Sequence, residues 1–150
     1  MRETHGKRRM TQKVLLGVVL VAIGVLVIQL LLQREGWNVP EAAKSAKNPL
    51  VSSEETLRVG AAAYREKCMQ CHGEKGHGDG PEAFMNKPAP ADLAAGGRMS
   101  AMSDGEIFYK ISEGRRPMPS FKSRLTEEQR WQLVLYLRWL AAQAESRGGK

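Results

Sequence analysis

The feature that most constrains this chain is the run Cys68-Met69-Gln70-Cys71-His72, which contains both of its cysteines. Two thiols at positions i and i+3 lie on one face of a helical turn, so both can form thioethers to the vinyl groups of one porphyrin. The histidine that follows can then place its imidazole under the iron. This spacing is the signature of covalent haem attachment.

Two other kinds of site use cysteines at this spacing. A thioredoxin-like redox centre requires a strand–helix–strand setting, and no strand pattern flanks the motif. A zinc site would have to recruit Cys68, Cys71, His72 and His77, but adjacent Cys71 and His72 rarely both reach one tetrahedral ion. Haem is therefore the favoured cofactor, and two thioether-linked cysteines would leave no thiol for a disulfide.

An apolar run from Val14 to Leu32 predicts a membrane-spanning helix. Its nineteen residues include one polar side chain, Gln29. As a helix the run would extend roughly 28 Å, close to the hydrocarbon thickness of a bilayer. A cleaved signal peptide usually has a shorter apolar run that ends near small residues, whereas polar and charged residues follow this one. An uncleaved anchor is the preferred interpretation.

Positive charge is concentrated ahead of this run. The net charge is +7, and the first thirteen residues supply +4 of it. Basic residues before a membrane span keep the N-terminus in the cytoplasm and place the remainder outside. The high pI therefore indicates membrane topology and not nucleic-acid binding. The predicted organisation is a cytoplasmic N-terminus (1–13), an anchor (14–32), a linker (33–51) and a haem domain (52–145).

The part after the anchor predicts a small all-α domain. Residues 33–51 lack apolar periodicity and are interpreted as a tether. From residue 73 to residue 97, frequent glycine and proline indicate an irregular loop, which a small domain can tolerate when haem fills its core. Gly114 is placed to end a helix. Three capping boxes start helices: Ser52 with Glu55, Ser103 with Glu106, and Thr126 with Gln129.

An iron held by His72 needs a second axial ligand. A thioether is a soft, neutral ligand that favours ferrous iron, although a methionine can equally be core filler. Met118 is distinguished because Pro117 and Pro119 fix the backbone around it, as a ligand on a loop requires. The candidates in the chain are Met85, Met99, Met102, Met118 and His77.

In the order of its motifs, the chain resembles class I c-type cytochromes over residues 52–142. The resemblance implies a small all-α cytochrome c-type domain with one covalently attached haem c. The matching residues are Gly60, Tyr64, the run from Cys68 to Gly73, Gly76-x-Gly78-Asp79-Gly80-Pro81, Pro88-x-Pro90-x-Asp92-Leu93, Gly114-x-x-x-Met118-Pro119-x-Phe121, Leu125-Thr126, Tyr136 and Leu140.

The resemblance also implies roles for single residues. His72 is the proximal ligand of the iron and Met118 the distal ligand, while Cys68 and Cys71 carry the thioethers. A proline carbonyl, Pro88 in preference to Pro90, is expected to accept a hydrogen bond from Nδ1–H of His72.

Two further expectations follow from the same resemblance. The first and last helices of the domain should cross at Gly60, with Tyr64 packed near Tyr136. His77 matches no ligand position and is expected to be an exposed loop residue.

A haem iron with two protein ligands has no open position, so it passes electrons and does not bind oxygen or peroxide. The expected function is that of a membrane-anchored monohaem electron carrier at the outer, periplasmic face of the cytoplasmic membrane. It would act either freely or as a subunit of a respiratory or photosynthetic complex, with redox proteins as partners, and not as an enzyme. The alternative is a haem enzyme or gas sensor in which Met118 is a labile ligand.

Basic residues cluster in sequence around both ligand segments. They form either a rim that docks an acidic partner or an ordinary solvated face. They are Lys67, Lys75, Lys87, Arg115, Arg116 and Lys122.

Overall fold

A computed structural model describes residues 3–32, 36–95 and 97–148, and the chain divides into two compact units, residues 1–38 and 39–150. The first unit is the helix α1, Glu3–Leu32. Its window Gln12–Gln29 has a mean hydropathy of 2.2 and is long enough to cross a membrane, a criterion that N-terminal signal sequences also meet. The large apolar side chains from Val14 to Ile28 are exposed in the isolated helix.

Parts of the predicted N-terminal organisation fall outside the described residues. These are residues 1–2 and 33–35, together with the side chains of the basic segment up to residue 11. The helix itself begins at Glu3, well before the predicted start of the anchor at Val14.

The second unit consists of helices packed around one core, and the described residues contain no strand, only an isolated bridge between Arg115 and Met118. The all-α prediction is confirmed. The elements are α2 (Glu41–Ser45), α3 (Glu54–Lys67), α4 (Met69–His72), a 3₁₀ turn (Ala83–Met85), α5 (Asp104–Glu113) and α6 (Glu127–Gly148).

The helix starts follow the predicted capping chemistry, with one correction. The prediction that Ser52 and Glu55 cap α3 is wrong by one position, because Ser53 is the N-cap. Its hydroxyl accepts from the Thr56 backbone N–H at 3.2 Å, and the Thr56 hydroxyl accepts from the Ser53 N–H at 2.9 Å. The Thr56 hydroxyl thus accepts the hydrogen bond that was expected of a glutamate carboxylate. Glu55 instead forms an ion pair with Arg58, with Oε1 and Nη2 2.7 Å apart.

The other two starts lie where they were predicted. Ser103 caps α5, and its hydroxyl accepts from the Glu106 N–H at 3.1 Å. Thr126 and Gln129 form a reciprocal box at the start of α6, with hydrogen bonds of 2.9 and 3.1 Å. Gly114 ends α5 with φ of +63°, a backbone conformation that glycine adopts without a steric penalty.

The helices α3 and α6 form the main packing interface, and they cross at Gly60 as predicted. A Cβ added to Gly60 would meet the backbone carbonyl of Gln132 and lie 2.9 Å from the Cβ of Tyr136. Just beyond the crossing, the rings of Tyr64 and Tyr136 pack with their centroids 5.3 Å apart. The fully buried side chains Tyr64, Leu133 and Val134 form the centre of the core.

The predicted tether differs from the structure from Val39 onward. Residues 39–50, called the strap below, pack against the rest of the second unit, and Val39 is only 5% exposed. Asn48 donates to the Trp131 carbonyl of α6 at 3.1 Å, and Ser103 of α5 donates to the Lys44 carbonyl at 2.6 Å. Both hydrogen bonds end on backbone carbonyls, which every residue supplies. The packing of the strap is therefore not visible as apolar periodicity in the sequence.

The close approach of the strap to α5 depends on Gly105. A Cβ at this position would meet the carbonyl of Ala43 and lie 2.9 Å from the Cβ of Ala46. The segment that remains between α1 and the second unit is therefore residues 33–38, much shorter than the predicted linker of residues 33–51.

Candidate haem-binding site

The two cysteines lie on one short helical turn. Cys68 precedes α4, and its carbonyl accepts from the backbone N–H of Cys71 at 3.2 Å and of His72 at 2.9 Å. No disulfide joins Cys68 and Cys71. Burial, and secondarily the neighbouring Cys71, raise the pKa of the Cys68 thiol to about 12. The turn thus presents two reduced sulfurs and an imidazole within five residues, as the motif predicts.

His72 is oriented by a hydrogen bond from Nδ1 to the carbonyl of Ala91, 3.1 Å away. Since a carbonyl can only accept, Nδ1 carries the proton, and the lone pair on Nε2 is available to a metal. Burial lowers the pKa of His72, an effect that the hydrogen bond to Ala91 partly offsets. The imidazole is thus biased toward the neutral form that binds iron.

The prediction that Pro88 or Pro90 orients His72 is wrong, because the acceptor is Ala91. The segment after the prolines is fastened to the loop that follows the motif, where the Leu93 N–H donates to the Gly76 carbonyl at 2.6 Å. This attachment brings the Ala91 carbonyl to the ring. Any residue supplies a backbone carbonyl, so the sequence could indicate the segment but not the residue.

His77 lies apart from these groups and is exposed, as expected. Its Nδ1 is 3.3 Å from Oδ2 of Asp92. Within the described part of the chain, no three His, Cys, Asp or Glu side chains converge on a point that could hold a metal ion.

Met118 lies on the loop that follows α5. The loop turns at Gly114, and the Met118 N–H donates to the Arg115 carbonyl at 2.9 Å. The side chain is partly buried against the core. It also lines a pocket of about 780 Å³ formed by residues 113–120 and Lys87. Met118 is thus a thioether on a defined loop beside a large open volume.

The other methionines that the sequence offered are engaged elsewhere. Met99 is 3% exposed and belongs to the core. The sulfur of Met102 accepts from the ammonium group of Lys110 at 2.9 Å, while Met85 is 61% exposed. Their placement favours Met118 as the distal ligand, an assignment that remains a prediction.

Two side chains that support the motif were not anticipated in these roles. The Tyr64 hydroxyl donates to the Gly73 carbonyl, directly after His72, at 2.8 Å, and burial raises the Tyr64 pKa. The Asn86 amide donates to the sulfur of Cys71 at 3.6 Å and to the Glu82 carbonyl at 2.9 Å. Tyr64 was expected only to pack near Tyr136, and no pattern in the sequence singles out Asn86.

The groups present fit a covalently held haem. Two thiols on one turn can form both thioethers, and an imidazole with its Nδ1 proton already engaged supplies a proximal ligand. A thioether beside the open volume supplies a second soft ligand. The residues of this donor set that would hold the haem are Cys68, Cys71, His72 and Met118.

The basic residues near the ligands do not form one ring. Lys87, Arg115 and Arg116 line the pocket of Met118. Lys67 and Lys122 form exposed ion pairs with Glu66 at 2.7 Å and Glu113 at 3.3 Å. Lys75 lines a separate pocket of about 220 Å³ against α6. The positive charge near the predicted distal ligand thus comes from three residues.

Comparisons with known proteins give a consistent result. Residues 55–137 match the family described as cytochrome c oxidase, cbb3-type, subunit III. Cytochrome c6 of Synechococcus elongatus is 28% identical over 81 residues, which cover 54% of this chain and 86% of that protein. Cytochrome c6 of Thermosynechococcus vestitus is 28% identical over the same length, with 67% of that protein covered.

One solved structure shows a similar fold at comparable identity. It is a chain of the Kuenenia stuttgartiensis reducing HAO-like protein complex, with 29% identity and a TM-score of 0.53. The similarity covers 72% of this chain and 52% of that chain, so this chain spans about half the length of its structural relative. Each of the three matches covers more than half of the present chain.

Proposed function

Since this chain belongs to the family of cytochrome c oxidase, cbb3-type, subunit III, and is a class I c-type cytochrome with covalently attached haem c, we propose that it carries electrons while anchored in the cytoplasmic membrane. Its haem domain then lies on the outer, periplasmic face. The cytochrome c family to which it belongs consists of electron carriers. The membrane anchor, the iron ligands and the membrane partner go beyond the family and are parts of the proposal.

In this proposal Cys68 and Cys71 hold the haem, His72 is the proximal ligand and Met118 is the distal one. Bound haem supplies a one-electron redox centre, and two protein ligands leave it no vacant coordination position. The Ala91 carbonyl accepts a hydrogen bond from His72, with Nδ1 and the carbonyl oxygen 3.1 Å apart, and this keeps the ring turned for coordination. The observation that carries the proposal is the position of Met118 on the pocket wall, while Met99 and Met102 are engaged elsewhere.

The proposed anchor is α1. Its window Gln12–Gln29 meets the length and hydropathy of a membrane span. The basic residues of the first thirteen positions favour a cytoplasmic N-terminus and export of everything after the helix. Export also suits the family of the chain, because a cytochrome c domain implies a haem outside the cytoplasm.

The connection between anchor and haem domain favours a partner within the membrane. Because the strap packs on the domain, only residues 33–38 separate α1 from the second unit. A short connector restricts the volume in which a tethered domain can search and raises its effective concentration near its anchor. We therefore favour a subunit of a membrane complex over a long-range shuttle.

The basic residues near Met118 indicate that such a partner presents an acidic surface. Three basic residues, Lys87, Arg115 and Arg116, and one acidic residue, Glu113, line the pocket of Met118, where the proposed haem edge would approach the surface. A partner with acidic side chains around its own redox centre would be steered to this edge. The structural relative, a chain of a multi-protein complex, is a precedent for redox proteins as partners.

Replacing the distal ligand tests the proposed chemistry. Met118→Ala should remove the methionine–iron charge-transfer band of the oxidised protein and lower the reduction potential, because ferric iron is no longer disfavoured by a soft ligand. Two matched controls should retain both properties: His77→Ala, on the proximal loop, and Met85→Ala, a methionine that is exposed. Retention of the band in Met118→Ala would refute the ligand assignment.

The membrane anchor has a separate test. Intact membranes washed with carbonate should retain the full chain, and sequencing of the mature protein should find its N-terminus ahead of Val14. A reporter fused to the C-terminus should be active only outside the cytoplasm. A mature N-terminus beyond Leu32 would identify α1 as a cleaved signal peptide instead.

A further inference from the structure

The start of α6 contains a buried cation, Arg130, that none of the roles described above explains. The residue is only 7% exposed. Its guanidinium lies over the ring of Phe108, 4.7 Å from the centroid, and no carboxylate among the described residues forms an ion pair with it. Burying a charge without an opposite charge is costly unless its hydrogen bonds are well satisfied.

One hydrogen bond of Arg130 leads to the loop of the proposed distal ligand, while its Nε donates to the Thr126 carbonyl at the start of α6 at 3.4 Å. Its Nη1 donates to the hydroxyl of Ser112, a residue of α5 that is 3% exposed. The carbonyl of the same serine accepts from the Ser120 hydroxyl at 2.5 Å and from the Lys122 N–H at 3.2 Å. Ser120 is two residues after Met118, so one buried serine joins the guanidinium to this loop.

Backbone hydrogen bonds also attach this segment of the chain. Beyond Gly114, Met118 donates to the Arg115 carbonyl within the loop itself, and Phe121 donates to the Ile111 carbonyl of α5 at 3.2 Å. Two further attachments, from the Ser120 hydroxyl and the Lys122 N–H, converge on the carbonyl of Ser112, and Arg130 donates to the hydroxyl of the same residue. Hydrogen bonds from a charged donor are shorter and stronger than neutral ones, particularly where water is excluded.

We propose that Arg130 is a positioning residue for the distal side of the haem: through Ser112 and Ser120 it holds the loop that presents the Met118 thioether to the iron. The proposal rests on the assignment of Met118 made above. Weakening this connection should leave the haem attached through the cysteines and His72. It should instead make the Met118 sulfur easier to displace.

Competition with an added ligand measures that displacement directly. Imidazole is titrated into the oxidised, full-length holoprotein in detergent, and the loss of the methionine–iron band gives its apparent affinity. Arg130→Met, which keeps an apolar chain over Phe108, should increase this affinity roughly tenfold, the scale of one charge-assisted hydrogen bond. Arg130→Lys keeps the charge but loses the planar fork, so it should recover only part of the effect.

Two further variants make the test decisive. Ser120→Ala removes only the exposed end of the connection, so it tests the proposal even if Arg130→Met folds poorly; it should also increase imidazole affinity. Combining it with Arg130→Met should add little, because both changes cut one connection. Arg124→Met, an exposed arginine close in sequence, is the matched control and should behave as the unaltered protein.

The outcomes separate this proposal from the one it rests on. If Arg130→Met and Ser120→Ala lower thermal stability but bind imidazole as Arg124→Met does, the role of Arg130 is structural and the positioning proposal is refuted. If Met118→Ala keeps the methionine–iron band, the ligand assignment fails and the positioning proposal falls with it. If Met118→Ala loses the band and imidazole affinity rises in both test variants, both proposals stand.

Discussion

Replacing Gly60 by alanine sets two physical effects of opposite sign against each other. Helix propensity alone favours the change, since alanine in a helix interior is about 1 kcal/mol better than glycine. Packing opposes it, because the new Cβ would collide with the Gln132 carbonyl and lie 2.9 Å from the Cβ of Tyr136. Carbon atoms in contact normally lie about 3.5–4.0 Å apart.

The clash cannot be relieved by a side-chain rotation. One of the two obstructing atoms is backbone and the other is a Cβ, so α3 and α6 would have to separate by about 1 Å along the main interface of the domain. Overpacking of this kind costs about 1–3 kcal/mol, and a backbone clash belongs at the upper end. After the gain in propensity, we expect Gly60→Ala to lower the free energy of unfolding by about 2 kcal/mol.

Thermal unfolding of the reduced holoprotein, followed by far-ultraviolet circular dichroism, measures the difference. A loss of about 2 kcal/mol in a domain of this size lowers the midpoint by about 10 °C. The control is Ala62→Gly on the exposed face of the same helix, which should cost only its propensity, about 1 kcal/mol. A midpoint for Gly60→Ala above that of the unaltered protein would show that the helices yield freely and would refute the packing argument.

Two other predictions follow from the site and the strap. Replacing Cys68 or Cys71 by serine should leave haem held by one thioether or lost, and the double replacement should abolish haem staining on denaturing gels; undiminished stain would exclude thioether attachment. Gly105→Ala should displace the strap, because its Cβ would collide with the Ala43 carbonyl, and limited proteolysis should then cut within residues 39–50. Asn48→Ala removes one hydrogen bond to α6, costs about 1 kcal/mol and should increase cleavage less; equal resistance in all three proteins would contradict the role of the strap.

The sequence predicted those parts of the fold that depend on side-chain chemistry. The CxxCH turn, the cap at Ser103 and the reciprocal box of Thr126 and Gln129 each require particular functional groups at fixed spacing. The close approach at Gly60 was also predictable, because a glycine inside a helix needs a packing reason. The capping box of α3 was misplaced by one residue since serines occupy both positions 52 and 53, and either can cap a helix.

The features that the sequence did not reveal depend on backbone groups. Ala91 orients His72 through its carbonyl, and the strap attaches largely through the carbonyls of Lys44 and Trp131. Since every residue supplies a carbonyl, these contacts impose almost no constraint on residue type. The choice of Met118 over Met102 was indicated by flanking prolines, but the engagement of Met102 by Lys110 becomes visible only in three dimensions.

The strap makes the folded domain of this protein longer than the part that matches the family. Similarity to the family begins at residue 55, whereas the buried interior already includes Val39. A fragment that starts where the homology starts would uncover the surface around Gly105 and leave the Trp131 carbonyl without its Asn48 donor. For such a fragment, low solubility or a weakened haem environment would reflect the missing edge of the domain and not a defect of the cytochrome itself.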